Sequence, residues 1–137
     1  MNSEILFNII VAIIIINFLK DKILDALNAK HFNDEIPNEL ADVFDEDAYK
    51  KSQDYKAANY KFGIWSSLFS LLLTLGFLFF DGFQYVDAIA RNYSDNTIII
   101  ALLFFGIIMI ASDIISTPFS YYKTFVIEER FGFNKST

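Results

Sequence analysis

Apolar and polar positions alternate along this chain in long blocks. Residues 62–80 are 19 consecutive uncharged positions, which as a helix would rise about 28 Å and match the hydrocarbon thickness of a bilayer. Apolar residues also dominate positions 5–24 and 97–120. Asp95 and Asn96 precede the last block, and both residue types favour the capping position before a helix. The pattern therefore predicts three membrane-spanning helices.

Lysine and arginine are distributed unevenly between the connections. None precedes the first span, seven lie between residues 20 and 61, one lies between 81 and 96, and three lie in the tail. Only Lys and Arg in short connections set the orientation of a membrane protein. The N-terminus and the 81–96 connection are therefore predicted to lie outside, and the connection 25–61 and the C-terminal tail in the cytoplasm.

The cytoplasmic connection 25–61 is predicted to be helical. Pro37 suits a first helical turn, and Asp45 can cap a helix that continues into the second span. Acidic residues at the start of this helix and lysines further along agree with the helix dipole. The predicted fold class is all-α, a polytopic helical membrane protein with three spans and a helical cytoplasmic connection.

Composition excludes several functions. The chain has 137 residues, of which 54% are hydrophobic and 18% aromatic, and its mean hydropathy is +0.36. A net charge of −6 without a basic stripe disfavours nucleic-acid binding. The chain has no cysteine and one histidine, His31, so it cannot form a metal site based on Cys or on several His residues.

Asp113 is the one ionisable residue deep in the third apolar block. A carboxylate at mid-bilayer costs about 2.5–3.5 kcal/mol on insertion scales, so it should not face lipid. Ser116, Thr117 and Ser120 follow three, four and seven residues later and share its helical face. This stripe either lines a wet cavity or surrounds a carboxylate that is hydrogen-bonded locally near the interface, and spacing alone leaves both readings open.

The second span carries a similar set of hydroxyl residues, Ser67, Ser70 and Thr74. Hydroxyls satisfy themselves on their own helix at little cost. Close helix packing through small residues is therefore the favoured interpretation, and lining of a cavity is the alternative.

The tail after the third span contains two adjacent acidic residues and a glycine turn. Glu128 and Glu129 have no His at a ligand spacing and point about 100° apart on a helix, so catalysis by this pair is not predicted. Gly132 lies between two phenylalanines and indicates a turn, and Asn134 can cap a further helix. Because the chain stops there, it is expected to be a piece of a longer protein.

The tail resembles the type I CAAX prenyl proteases, which carry a proline, an apolar-aromatic run and then T-F-V-I-E-E-[KR]-x-G-F-N. The residues of the tail that match are Pro118, Thr124, Phe125, Glu128, Glu129, Gly132, Phe133 and Asn134. A second block, similar to the P-x-E-L and K-S-x-x-Y elements of the family, comprises Pro37, Glu39, Leu40, Lys51, Ser52 and Tyr55.

The resemblance implies an integral-membrane zinc metallopeptidase of about seven spans around a water-filled chamber, with zinc held by H-E-x-x-H and a distant Glu. This chain lacks the H-E-x-x-H motif. It would be the N-terminal membrane domain, residues 1–137, without the catalytic domain and without a cofactor of its own. Its partners would be the lipid bilayer, the catalytic remainder of the parent protease, and a peptide or membrane-protein substrate.

The resemblance implies that the polar stripes of the second and third spans line the chamber, because a water-filled chamber would accommodate the Asp113 carboxylate. Thr117 and Phe131 depart from residues common in the family. Both changes fit a bacterial relative in a bacterial cytoplasmic membrane, and they favour membrane-protein turnover over a prenylated CAAX substrate.

Two other functions stay open from the sequence. The chain could be a stand-alone three-span scaffold that binds a partner through its acidic connection, and the test is whether translation continues past Thr137. The hypothesis of a small channel subunit is based only on Asp113 and the serine stripes. It predicts ion flux from oligomers of the chain in liposomes.

Overall fold

The computed structural model describes residues 2–32, 34 and 45–135, and within these ranges the chain forms helices and no strand. The helices in chain order are α1 (Ser3–Ala29), α2 (Glu46–Phe79), α3 (Gly82–Tyr93) and α4 (Thr97–Tyr122), followed by a π-helical segment (Lys123–Glu128). The predicted all-α class is confirmed.

Three of these helices, α1, α2 and α4 with the π segment, are long and apolar enough to cross a membrane. None of the residues in their most apolar stretches is buried within the described part of the chain. Exposed apolar helices of this length are stable in lipid or against other membrane helices, because their backbone polar groups are satisfied within the helix. The prediction of three spans is confirmed.

The helix starts follow the predicted capping residues. The Asp45 carboxylate accepts a hydrogen bond from the Asp47 N–H at 3.0 Å, and α2 then runs for 34 residues, about 51 Å, without a break. The second half of the predicted connection and the second span are therefore one helix. Asn96 caps α4 by accepting from the Ile98 N–H at 2.9 Å. The expected first-turn position of Pro37 lies outside the described residues.

Helices α1 and α2 run antiparallel. Phe7 near the start of α1 packs edge-on against Phe79 at the end of α2, with ring centroids 5.3 Å apart. At the opposite end, Phe32 meets Tyr60 at 5.9 Å. Aromatic pairs therefore fix both ends of this hairpin.

Helices α2 and α4 are also antiparallel, and their contact is aromatic. Phe62 stacks on Tyr122 with centroids 5.3 Å apart, and Phe69 meets Phe119 at 5.0 Å. These four rings help to fix the register between the second and third spans, together with α3 and the π segment, which both pack on α2. The rings separate two grooves that are described below.

Helix α3 lies in the connection between the second and third spans, whose secondary structure was not predicted from the sequence. Its apolar residues Val86 and Ala90, four positions apart, are buried. On its exposed side the Arg91 Nε donates to the Asp87 carboxylate at 2.7 Å. That hydrogen bond, together with the carboxylate charge, raises the pKa of Arg91.

The third span continues beyond the predicted end at residue 120. Pro118 lies inside α4 without ending it. In the π segment that follows, the Glu129 N–H donates to the Thr124 carbonyl five residues earlier. The helix ends at Gly132, whose φ of 67° lies in the left-handed region.

Candidate functional site

A polar groove of about 360 Å³ lies between α2 and α4. We call it the hydroxyl groove, because it is lined by Ser66, Ser70 and Thr74 of α2 and by Ser112, Ser116 and Ser120 of α4. On each helix the three hydroxyl residues are spaced i, i+4, i+8 and therefore lie on one face. The antiparallel pairing brings the two stripes opposite each other.

Four of the seven residues predicted from the sequence line this groove, namely Ser70, Thr74, Ser116 and Ser120. The other three, Ser67, Asp113 and Thr117, do not. The structure therefore brings part of the predicted set together and leaves the rest on neighbouring faces.

Ser66 and Ser112 line the hydroxyl groove but were absent from the predicted set. Each lies four residues before a predicted member, Ser70 and Ser116. The i, i+4 spacing was the available signal.

Most hydroxyls of the groove lack a partner within the described residues. Ser66 Oγ donates to the Gly63 carbonyl at 3.4 Å, and Ser116 Oγ donates to the Asp113 carbonyl at 3.2 Å. The other four hydroxyls make no hydrogen bond in that part of the chain. An unpartnered hydroxyl in hydrocarbon costs free energy, so this groove suits water or a polar ligand.

The three predicted residues outside the groove have separate environments. Thr117 Oγ1 donates to the Asp113 carbonyl at 2.6 Å, and Ser67 Oγ donates to the Ile64 carbonyl at 3.0 Å. The Asp113 side chain is exposed and forms no ion pair with any described residue. Asp113 follows Ser112 by one residue, so it lies about 100° further round α4.

A second cluster brings the family motif of the tail into contact with the family motif that includes Lys51 and Tyr55 on α2. The Tyr55 ring packs against Phe131 at 5.5 Å and against Phe133 at 4.7 Å. Lys51 Nζ lies 5.7 Å from the centre of the Phe133 ring and 3.5 Å from the position that a Cβ would take at Gly132. We call Lys51, Tyr55, Phe131, Gly132 and Phe133 the motif cluster.

Backbone hydrogen bonds explain why the tail turns back at this point. The Phe133 N–H donates to the Glu128 carbonyl at 2.9 Å, and the Gly132 N–H donates to the Glu129 carbonyl at 3.0 Å. This is the Schellman arrangement, which requires a left-handed residue that glycine adopts without strain. The Asn134 side-chain amide also donates to the Glu129 carboxylate at 3.0 Å. The predicted glycine turn is therefore confirmed.

The structure also describes matched residues outside this cluster. Ser52 is half-buried on α2, and Pro118 lies inside α4. Thr124 and Phe125 belong to the π segment, where the Phe125 ring packs against Tyr121 at 4.6 Å. Three further matched residues lie outside the described part of the chain: Pro37, Glu39 and Leu40.

Residues 2–32, 34 and 45–135 contain no group of three or more His, Cys, Asp or Glu side chains that could hold a metal ion. Glu129 accepts from Asn134, and the carbonyls of Glu128 and Glu129 hold the helix end. These residues do not form a zinc-binding set, and no catalytic step is assigned to them.

Residues 25–137 match the family model described as CAAX prenyl protease N-terminal, five membrane helices. The chain belongs to this family. Its part of the family fold is the N-terminal membrane domain, as the sequence resemblance predicted.

Relatives and a solved structure support the same assignment. CAAX prenyl protease 1 of Saccharomyces cerevisiae is 33% identical over 112 residues, which cover 74% of this chain and 25% of the yeast protein. The Caenorhabditis elegans homolog of CAAX prenyl protease 1 is 35% identical over 101 residues, 74% of this chain and 22% of that protein. The crystal structure of S. mikatae Ste24p superposes with a TM-score of 0.83 at 31% identity, covering 92% of this chain and 31% of that chain. The chain thus spans about a quarter of the length of these curated relatives.

Proposed function

We propose that the chain forms part of the wall of an intramembrane chamber in a zinc-dependent membrane endopeptidase. The hydroxyl groove carries this proposal. Six hydroxyl side chains, three from each of two spans, converge on one groove at the level of the apolar segments. Four of these six hydroxyls make no hydrogen bond within the described residues, which favours water or a polar chain over lipid in the groove.

Asp113 is proposed to face the same water-filled space. Its carboxylate lies on the half of α4 that carries Ser112 and Ser116, and it is exposed without a described ion-pair partner. A charged side chain in a span is tolerated when it faces water or a protein partner. Ser67 and Thr117 stay in the proposed lining as neighbours of Ser66 and Ser116, which line the groove. Their own hydroxyls already donate to carbonyls of their own helices, so they are not free to bind a ligand.

The chemistry of the parent enzyme is proposed to come from outside this chain. Zinc would supply a Lewis acid and an activated water for peptide hydrolysis. In this proposal Glu128 and Glu129 brace the end of the third span, and their role is mechanical. The bound substrate would be a peptide or a segment of a membrane protein, with membrane-protein turnover favoured over cleavage of a prenylated CAAX peptide.

We also propose a bacterial cytoplasmic membrane as the location, with the N-terminus outside and the tail in the cytoplasm. The lysine and arginine distribution supports the orientation, with seven residues on the 20–61 side against one between 81 and 96. The departures from common family residues at Thr117 and Phe131 are the ground for the bacterial location. The motif cluster, which includes Lys51, would then lie at the cytoplasmic end of α2 and α4, near Lys50 and Lys56 along α2.

Intact mass and zinc content of the native gene product, extracted from its own membrane, test this function. We expect a product several times the 15.8 kDa of this chain. It should carry about one zinc ion per molecule, and its peptidase activity should be lost on chelation and restored by zinc. A native product of 15.8 kDa without zinc would contradict the proposal. It would support the stand-alone three-span scaffold.

A further inference from the structure

A second groove, of about 510 Å³, lies between α2 on one side and the C-terminal end of α4, the π segment and the turn after it on the other, beside the Phe62–Tyr122 contact. We call it the cationic groove. Its floor is apolar and largely aromatic, with Trp65, Phe119 and Tyr122 among its lining residues. Lys61 and Arg130 also line it, whereas no acidic side chain does.

Both cations of this groove are available for an anionic ligand. Lys61 and Arg130 are exposed, and neither forms an ion pair within the described residues. The Arg130 guanidinium lies 5.7 Å from the centre of the Phe131 ring, a contact that leaves its donors open. The groove therefore combines two unneutralised positive charges with a long apolar surface.

The groove also crosses the boundary between the polar and apolar parts of the chain. Lys61 is the last charged residue before the uncharged stretch 62–80, and Trp65 lies one helical turn further in. Trp and Tyr rings favour the headgroup layer of a bilayer, and long cationic side chains extend towards it. The charged end of the groove is therefore expected at headgroup depth, and Trp65, one turn deeper, at the boundary where the headgroups meet the acyl chains.

We propose that the cationic groove binds an anionic phospholipid. The lipid phosphate would lie between Lys61 and Arg130, and one acyl chain would lie along Trp65 and Phe119. A basic pocket between spans at the headgroup level recognises an acidic lipid head, and the apolar floor provides the contact that a free phosphate ion could not use. This inference requires only that the chain is embedded in a membrane, and it is independent of proteolysis.

Trp65 provides a direct probe, because it is the only tryptophan of this chain and it lines the groove. The intact protein is reconstituted into two vesicle preparations of equal phosphatidylglycerol and phosphatidylcholine content. Brominated acyl chains are carried by phosphatidylglycerol in one and by phosphatidylcholine in the other. Surface charge is then identical, and only lipid next to the probe differs. Subtracting the signal of a Trp65→Phe variant isolates the contribution of Trp65.

We expect Trp65 to be quenched more strongly when phosphatidylglycerol carries the bromine, corresponding to a relative affinity of about tenfold for the anionic lipid. The double variant Lys61→Gln/Arg130→Gln should bring this ratio close to one. A control double variant, Lys50→Gln/Lys135→Gln, removes the same charge from exposed positions outside the groove and should keep the preference.

Four outcomes would overturn the proposal. Equal quenching by both labelled lipids in the wild-type protein would show that the groove does not select anionic lipid. No quenching by either lipid would show that another protein segment covers Trp65. Loss of the preference in the control variant, or on addition of inorganic phosphate, would assign the effect to general surface charge or to a phosphate-ion site. The wild-type comparison decides the question even if the Lys61→Gln/Arg130→Gln variant fails to fold.

Discussion

Tyr55 provides the ring contacts through which α2 holds the end of the third span. Its ring contacts two tail rings, Phe131 at 5.5 Å and Phe133 at 4.7 Å. An aromatic pair contributes about 0.5–1.5 kcal/mol beyond the area that it buries, so Tyr55→Ala should destabilise the closed tail by about 1–3 kcal/mol. The equilibrium constant for local opening of the tail should therefore rise by about 5- to 150-fold.

Amide hydrogen exchange measures this opening directly. The Phe133 N–H, which donates to the Glu128 carbonyl at 2.9 Å, exchanges only when the helix end opens. Its exchange rate should rise in Tyr55→Ala by the same factor as the opening constant. The Ile100 N–H, which donates to the Asn96 carbonyl at 2.9 Å near the other end of α4, should be unaffected.

Tyr55→Phe is the matched control, because it removes the hydroxyl and keeps both ring contacts. Its Phe133 exchange rate should stay close to that of the wild-type protein. If Tyr55→Ala exchanged no faster than Tyr55→Phe, the ring contacts would not hold the tail, and the motif cluster would not be a structural unit.

Three further predictions concern the helix end, the third span and its start. Gly132→Ala should cost about 1–2 kcal/mol in the left-handed region and speed exchange in the tail, whereas Gly63→Ala, which meets no atom within 4 Å, should not. In the intact protein, Ser116→Cys should react with a membrane-impermeant thiol reagent faster than Ile114→Cys on the far side of α4, and equal rates would refute a wet groove. Asn96→Ala should cost about 0.5–2 kcal/mol, seen as faster exchange in the first turn of α4, and an unchanged rate would contradict the capping role.

The sequence predicts the three long helices well because the signals that define them are local. An uncharged stretch long enough to cross a bilayer and a capping Asp45 or Asn96 require no knowledge of the rest of the fold. Helix α3 was missed because it is short and its apolar residues are interspersed with polar ones, so it forms no long apolar block. Val86 and Ala90, four residues apart, with Asp87 and Arg91 on the exposed side, were its available signature.

Contacts between helices could not be predicted in the same way. The pairing of Ser70 with the Ser116 stripe depends on the register between α2 and α4, which is fixed by rings far apart in sequence, such as Phe69 and Phe119. The sequence could place Ser67 and Ser70 on one span, but not decide which of them faces the partner helix. Both family blocks were found from the sequence, whereas their contact through Tyr55 became visible only in the structure.

The π segment explains how one helix serves both the membrane span and the motif cluster. A π turn accommodates one more residue than an α turn, so residues beyond it are rotated by about 100° from the positions that an unbroken α-helix would give. Ile127 is buried within Lys123–Glu128, and beyond this segment the rotation accompanies the packing of the Gly132 turn against Lys51. The hydroxyl stripe of α4 precedes the π segment and keeps its α spacing. The direction in which the third span faces the hydroxyl groove is therefore determined before the π segment, and the direction in which it faces the motif cluster is determined after it.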